Sequence, residues 1–356
     1  MRMKFELPSN QKVYETDQGL QVSGDSKEIL RLLPDESVDL IVTSPPFALL
    51  RQKSYGNEDQ SAYVAWLSEF GEAAKRVLKQ TGSFVLDLGG AYERGKPVRS
   101  LYNFRVLLDF CDRLKYNLAE EFFWYNPAKL PSPIEWVNKR KIRVKDAVNT
   151  VWWFSKEDYP KADVTKVLAP YSERMKTLLK NPGKFYKPKG RPSGHEIAAA
   201  FGKENGGAIP SNLLQIPNTD SNSHYLRMCK VLGRDSHPAR FPSALPKFFI
   251  EFLTETGDCV IDIFSGSNTT GCVAEQLGRR WLSIELDRGH AVLSALRFMA
   301  TCTEPDIIEA VRLLENGQCL KIKSPGFSAE DDPGDAQVME ESQGSLFRHS
   351  RTGTRW

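Results

Sequence analysis

The sequence predicts a doubly wound α/β fold: a mostly parallel sheet with helices on both faces. Three observations lead there. Short apolar runs recur along the chain, among them Val38-Asp39-Leu40-Ile41-Val42, Val260-Ile261-Asp262-Ile263 and Trp281-Leu282-Ser283-Ile284. Each breaks off abruptly into a turn or a carboxylate, as strands buried on both faces do. Between such runs, apolar residues return at helical spacing, most clearly Tyr63, Trp66, Leu67, Phe70, Ala74, Val77 and Leu78. Strand, turn and helix follow one another in the order that builds a parallel sheet.

The first twenty residues carry no strong pattern and read as a pairing arm or a loose start. Leu20 to Asp25 reads as a strand ending in Gly-Asp, and Ser26-Lys27-Glu28-Ile29-Leu30 as a helix that Asp25 suits as N-cap. The strand through Val42 runs into Thr43-Ser44-Pro45-Pro46-Phe47. Pro45 and Pro46 lack an N–H and fix φ, so the chain leaves the sheet there. Each proline also holds the residue before it extended. The result is a stiff loop presenting a hydroxyl, outward carbonyls and an aromatic face, a surface suited to a planar ring bearing an amino group. Taken alone, these residues suit a plain proline-rich turn equally well. Arg51, Gln52, Lys53 and Tyr55 follow as a polar, basic loop, and then comes the helix through Leu78, whose aromatic stripe reads as core. Gly82 to Gly90 reads as a strand ending in glycines, Leu101 to Leu114 as a helix, and Glu121 to Pro127 as a strand ending in aromatic-Asn-Pro.

From Ala128 to about Asp235 the alternation dissolves under prolines 131, 133, 160, 170, 182, 188 and 192. Ser193 to Ser211, with Gly194, Gly202, Gly206 and Gly207, is expected to be a mobile loop. Pattern returns with His237-Pro238-Ala239-Arg240-Phe241-Pro242 and a helix striped by Leu245, Phe248, Phe249, Phe252 and Leu253. The strand through Ile263 then enters Phe264-Ser265-Gly266-Ser267-Asn268-Thr269-Thr270-Gly271, and Val273, Ala274 and Leu277 suit one face of a helix. Twenty-three residues after Asp262, the next strand ends in Glu285. A strand, a tight turn, a helix and an acidic strand end form a nucleoside-binding unit in which the acid takes the ribose hydroxyls. Residues 324–346 are acidic and poor in apolar side chains, and the tail from 324 to 356 reads as disordered.

Together, Ser44-Pro45-Pro46-Phe47 and the Asp262 to Glu285 unit resemble the amino-directed DNA methyltransferases of the β class, in which the catalytic motif precedes the cofactor motif. The resemblance spans about Val22 to Met299. The phrase Ser44-Pro45-Pro46-Phe47-Ala48-Leu49, with Lys53-Ser54-Tyr55-Gly56-Asn57 after it, looks close to the PvuII-type cytosine-N4 subgroup. The resemblance implies a seven-stranded sheet with one antiparallel strand, with the two motif strands side by side. It implies S-adenosylmethionine as cofactor, held by Asp25, Asp262, Phe264, Gly266, Ser267, Asn268, Thr269, Thr270 and Glu285. Asn268 stands where a third glycine is usual, and Asn tolerates left-handed geometry better than most residues. Phe241 stands where the family more often has lysine, and phenylalanine offers no charge contact to the cofactor from that position.

The implied reaction transfers a methyl group to N4 of a cytosine flipped out of double-stranded DNA. Ser44 and the Pro45 carbonyl would accept the amine hydrogens, with Pro46 stiffening the loop and Phe47 stacking on the base. Trp124 and Tyr125 are further candidates for holding the base, whereas Phe122 and Phe123 read as core. The implied layout is a catalytic half over 1–127, a target-recognition region over 128–235 and a cofactor-binding half over 236–323. Adenine-N6 methylation is the nearest rival, since Ser is only a preference at this position. A non-catalytic DNA-binding protein that keeps the fold is a second rival. A nicotinamide dehydrogenase has no use for Ser-Pro-Pro-Phe, and C5-cytosine chemistry needs a Pro-Cys pair that the chain lacks.

Charge distribution agrees with a polyanion partner. Residues 127–192 hold sixteen lysines and arginines against six carboxylates, an excess of ten, in a chain of net charge only +3. A solvated basic surface is the plainer reading of the same count. Six scattered cysteines show no metal-ligand spacing and suit reduced thiols of a cytoplasmic protein. No apolar run is long enough for a membrane span, and Met1 to Glu6 lacks the apolar core of a signal peptide. A restriction endonuclease acting on the same site is the partner such an enzyme would have.

Overall fold

The computed structural model describes residues 7–47, 62–181, 203–219 and 223–323. Within them, ten strands form one sheet in the order β10-β1-β2-β9-β8-β3-β4-β6-β5-β7. The strands are β1 (Lys12–Glu15), β2 (Gly19–Ser23), β3 (Val38–Thr43), β4 (Leu78–Gly89), β5 (Asn117–Tyr125), β6 (Val148–Ser155), β7 (Leu213–Gln215), β8 (Cys259–Asp262), β9 (Arg280–Glu285) and β10 (Leu320–Lys321). The helices that matter to the site are α1 (Ser26–Arg31) and α2 (Tyr63–Val77) ahead of β4, then α3 (Ala244–Leu253), α4 (Thr269–Gln276) and α5 (Arg288–Ser294).

The expected seven strands are the central ones. β2, β9, β8, β3 and β4 run parallel, β6 is inserted antiparallel to both β4 and β5, and β5 closes the set. Three short strands extend the edges. The first residues are indeed a pairing arm: β1 lies antiparallel on β2, with β10 beyond it, and β7 lies outside β5. The two motif strands, β3 and β8, pair directly in parallel, Leu40 opposite Val260 and Ile41 opposite Ile261.

Alternation along the strands explains why both faces are covered. Leu40, Val42, Val85, Val151 and Val260 point into one buried cluster, shared with Phe249, Ile250 and Val273. Ile41, Phe84, Leu86, Trp152 and Ile261 point into the other, shared with Leu67, Phe70 and Ala74. A period of two with both sets apolar is the signature of a sheet sandwiched by helices. Trp152 and Phe154 are fully buried, each stabilising the fold by about 1.5–3 kcal/mol relative to exposure.

The boundary expected at residue 128 needs correction. β6 lies inside the stretch assigned to target recognition, yet it is a central strand. Its run Val151-Trp152-Trp153-Phe154 is as apolar as any strand of the sheet; the prolines on either side of it made the whole stretch look irregular. The Arg51–Tyr55 loop, most of the glycine-containing loop and the acidic tail lie outside the described residues. No helix among the described residues is long and apolar enough to cross a membrane.

Candidate active site

Because β3 and β8 are neighbours, their two turns open on the same edge of the sheet and line one cavity of about 730 Å³. Ser44, Pro45, Pro46 and Phe47 form one side; Phe264, Ser265, Gly266, Ser267 and Thr269, with Asp25 and Glu285, form the other.

The turn after β8 is held from beneath. Asp262, only 2% exposed, accepts hydrogen bonds from Thr43 Oγ1 and Thr270 Oγ1, both at 2.7 Å, and from the Phe264 amide at 3.1 Å. Burial pushes its carboxyl up to about 6, against those bonds. It is therefore a strut joining β3 to α4 beneath the cavity. Asn268 and Thr270 are engaged in the same way. Asn268 sits at φ 56°, as its tolerance of left-handed geometry allows, and caps α4 through the Gly271 amide at 3.0 Å. Its side chain also meets Ser283 Oγ at 2.6 Å and the Tyr14 hydroxyl at 3.0 Å, and it is fully buried. Thr270 is spent on Asp262.

Gly266 and Glu285 do face the cavity. At φ 50°, a Cβ on Gly266 would meet the His237 ring at 2.9 Å. The Gly266 amide donates to Glu285 at 2.7 Å, and the Asp287 amide donates to the other Glu285 oxygen at 3.0 Å. Burial raises the Glu285 carboxyl to about 7. Each oxygen keeps a lone pair for a further donor. Beside it Leu286 is 72% exposed, and Phe264 packs on Phe70 at 4.8 Å and on Trp66 at 5.6 Å. A half-buried acceptor for hydroxyls between apolar side chains fits a nucleoside with a vicinal diol, and so fits S-adenosylmethionine. Asp25 does two things: it caps α1 through the Lys27 amide at 2.8 Å, and it lines the cavity. Trp66 and Phe70, read from sequence as core, line it too.

The turn after β3 is built differently. The Ser44 hydroxyl donates to Asp87 at 3.0 Å, and the Asn149 amide donates to the other Asp87 oxygen at 3.0 Å. Asp87 is 5% exposed, and burial lifts its carboxyl to about 6 while those two bonds oppose the rise. The Tyr63 hydroxyl donates to the Pro46 carbonyl at 2.8 Å. Among the described residues no hydrogen bond ends on the Pro45 carbonyl. Phe47 lies against Gly89, where a Cβ would come within 2.5 Å of its ring.

Asp87 and Asn149 are the site residues that sequence reading missed. Asp87 interrupts the apolar run Val85-Leu86-Asp87-Leu88, and a lone carboxylate near a strand end was the available signal. Asn149 was hidden because β6 was read as part of the recognition region; the antiparallel register sets it opposite Gly89. Of the two aromatic candidates on β5, Trp124 lines the cavity, with its indole N–H on the Ile216 carbonyl at 2.9 Å. Tyr125, next along the strand, does not appear on that wall. The His237–Phe241 stretch closes the cavity between the two turns, with His237 edge-on to His290 at 4.6 Å. Burial and His290 hold the His237 ring down at about 4, so it is neutral near pH 7.

The basic stretch divides in two. Lys156, Lys161 and Lys166 pair with Glu36, Asp258 and Glu255 and tie the segment to the body. Lys129, Lys141, Arg174 and Lys180 make no ion pair among the described residues.

Comparison with known proteins followed the same lines. A family described as DNA methylase matches residues 38–295. The Type II methyltransferase M.PvuII of Proteus hauseri is 56% identical over 312 residues, covering 87% of this chain and 93% of that protein. M.ScaI of Streptomyces caespitosus is 24% identical over 81% of this chain and 83% of its own. A solved structure described as PvuII DNA methyltransferase (cytosine-N4-specific) superposes with a TM-score of 0.72 at 48% identity, covering 87% of this chain and 97% of that one.

Proposed function

This chain belongs to the DNA methylase family, and from that premise we infer how its cavity works. The protein is a site-specific DNA methyltransferase that modifies N4 of cytosine, with S-adenosylmethionine as methyl donor and DNA as substrate. The single observation that carries the mechanism is the Ser44–Asp87 hydrogen bond beside a Pro45 carbonyl that accepts no hydrogen bond among the described residues.

The cofactor supplies a methyl group made electrophilic by its sulfonium. We assign its ribose hydroxyls to Glu285 and its remaining contacts to Asp25, Phe264, Gly266, Ser267 and Thr269. The cytosine amine is a poor nucleophile because its lone pair is delocalised into the ring. Ser44 Oγ and the Pro45 carbonyl accept its two hydrogens and draw the nitrogen toward tetrahedral geometry. Ser44 alone is a weak base. Donating its own proton to Asp87 leaves both Oγ lone pairs facing the amine and gives the proton lost from N4 a destination on the Asp87 carboxylate. Most of the acceleration then comes from holding the amine in line.

Target recognition is proposed for residues 128–147 and 156–212, on either side of β6, with Lys141, Arg174 and Lys180, which make no ion pair among the described residues, on phosphates. Phosphate contacts of this kind make affinity fall steeply with salt. The relatives' designation as Type II methyltransferases supports a paired restriction endonuclease acting on the same sequence, and a DNA substrate with free thiols supports a cytoplasmic location. Digesting methylated DNA to nucleosides and identifying the modified one by mass spectrometry tests the reading. N4-methylcytosine is expected; N6-methyladenine would overturn the base assignment, and 5-methylcytosine would overturn the mechanism as well.

A further inference from the structure

The wall of the cavity beyond Ser44 has nearly all its polar atoms committed. Asp87 and Asn149 bond each other, and Asp87 bonds Ser44. The Trp124 indole N–H is on the Ile216 carbonyl. Asn126 Oδ1 accepts the amides of Ala128 at 3.1 Å and Asn218 at 3.2 Å, and Asn218 Nδ2 donates to the Arg240 carbonyl at 2.7 Å. One charged donor on this wall has no such commitment. Lys129 lines the cavity, and its ammonium makes no hydrogen bond or ion pair among the described residues.

Lys129 is also held in place. Its amide donates to the Asn126 carbonyl at 3.2 Å, closing a turn that the Asn126 side chain braces from within. Lys145 Nζ staples the same turn by donating to the carbonyls of Pro127 at 2.9 Å and Lys129 at 3.4 Å. A lysine kept only for solubility needs no braced turn and no place inside a cavity. Lys129 shares the cavity wall with Ser44 and Asp87, and its charge favours the ionised form of Asp87.

Cytosine presents a donor at N4 and acceptors at N3 and O2 along one edge. Ser44 and the Pro45 carbonyl serve the amine and are acceptors, so neither can serve O2. Adenine, with its amine in the same place, has a C–H where cytosine has O2. A donor on the wall beyond Ser44 therefore distinguishes the two bases as well as holding the ring. We propose that Lys129 reads the O2 carbonyl of the flipped cytosine and is a specificity-determining residue of this enzyme. This rests on the assignment of cytosine N4 as the methylated atom.

The test compares two duplexes identical except for cytosine or 2-thiocytosine at the target position, with wild type, Lys129→Met and Lys129→Gln. Sulfur accepts hydrogen bonds weakly, while the amine is unchanged. Wild type should favour cytosine in kcat/KM by about ten-fold, the cost of weakening one charge-assisted hydrogen bond in a closed site. Lys129→Met should show a preference of less than about two-fold and Lys129→Gln, whose neutral amide still donates, one between that and the wild type, both with unchanged cofactor affinity by calorimetry. A general loss of folding or of phosphate contact lowers both substrates together and leaves the preference intact. Variants that keep the wild-type preference, or a wild type with none, would overturn the role of Lys129. A wild-type product of N6-methyladenine would instead remove the assignment beneath it, and the nucleoside analysis of the same reactions separates the two.

Discussion

Two turns leave the same edge of the same sheet from adjacent strands, and they are made rigid by opposite means. The turn after β8 is rigid through buried hydrogen bonds: Asp262 and Asn268 spend their side chains holding β3, β9 and α4 around it. The turn after β3 is rigid through covalent structure, because two successive prolines fix φ without consuming acceptors. The first arrangement uses its polar side chains to make a shape. The second obtains its shape from proline rings and leaves Ser44 and the Pro45 carbonyl available for a substrate. Changes in the first should therefore read out in stability and cofactor affinity, and changes in the second in rate.

The largest effect should come from Ser44→Ala. Removing one acceptor for the amine should lower the single-turnover rate by about 10²–10³, the scale on which one positioned oxyanion-hole donor matters. Cofactor affinity should be unchanged; a parallel loss of affinity would erase the distinction between the turns. Asp262→Ala should do the reverse. It strands two buried hydroxyls and an amide, and we expect denaturant unfolding to show a loss of about 2–3 kcal/mol. Its residual rate at saturating cofactor should stay near that of the wild type. Glu285→Gln tests the boundary between the two behaviours. It keeps one oxygen acceptor but loses the charge that strengthens bonds from hydroxyl donors, so calorimetry should show affinity for S-adenosylmethionine about ten-fold weaker with little change in melting temperature. Phe47→Ala should have the smallest effect, about 1 kcal/mol of lost stacking on the flipped base. A fluorescent base analogue at the target position should report this as less time spent outside the helix.

The difference between the turns also explains what the sequence made legible. Proline and glycine act through the backbone, so Ser44-Pro45-Pro46-Phe47 and Gly266 declared their geometry in one dimension. The acid at Glu285 was visible because it ends a strand. Asp262 and Asn268 were placed in the right turn, but their hold on neighbouring elements was not legible, because sequence cannot say whether a polar side chain meets a neighbouring strand. Asp87 and Asn149 escaped for a topological reason. They reach Ser44 only because β6 inserts antiparallel between β4 and β5, and nothing local to Val148–Ser155 announces that pairing. Likewise the basic excess of 127–192 was countable, but its division into residues paired with the body and residues with no ion pair among the described residues required the fold.

The central claim is that Ser44 acts with Asp87 as its proton acceptor, and the pH dependence of the single-turnover rate tests it most directly. Asp87 has a carboxyl raised by burial to about 6, and only its ionised form can take the Ser44 proton. The rate should therefore rise through about pH 6 and level off above it, and in Asp87→Asn it should be low with no inflection there. Stability must move the opposite way. A carboxyl raised on folding favours the folded state at low pH, and that contribution is lost as pH rises through about 6. The neutral Asp87→Asn should therefore melt progressively higher than wild type as pH passes from 5 to 7. A variant slower yet more stable above pH 6 is the predicted result. A rate profile in Asp87→Asn that keeps the inflection near pH 6 would contradict the account.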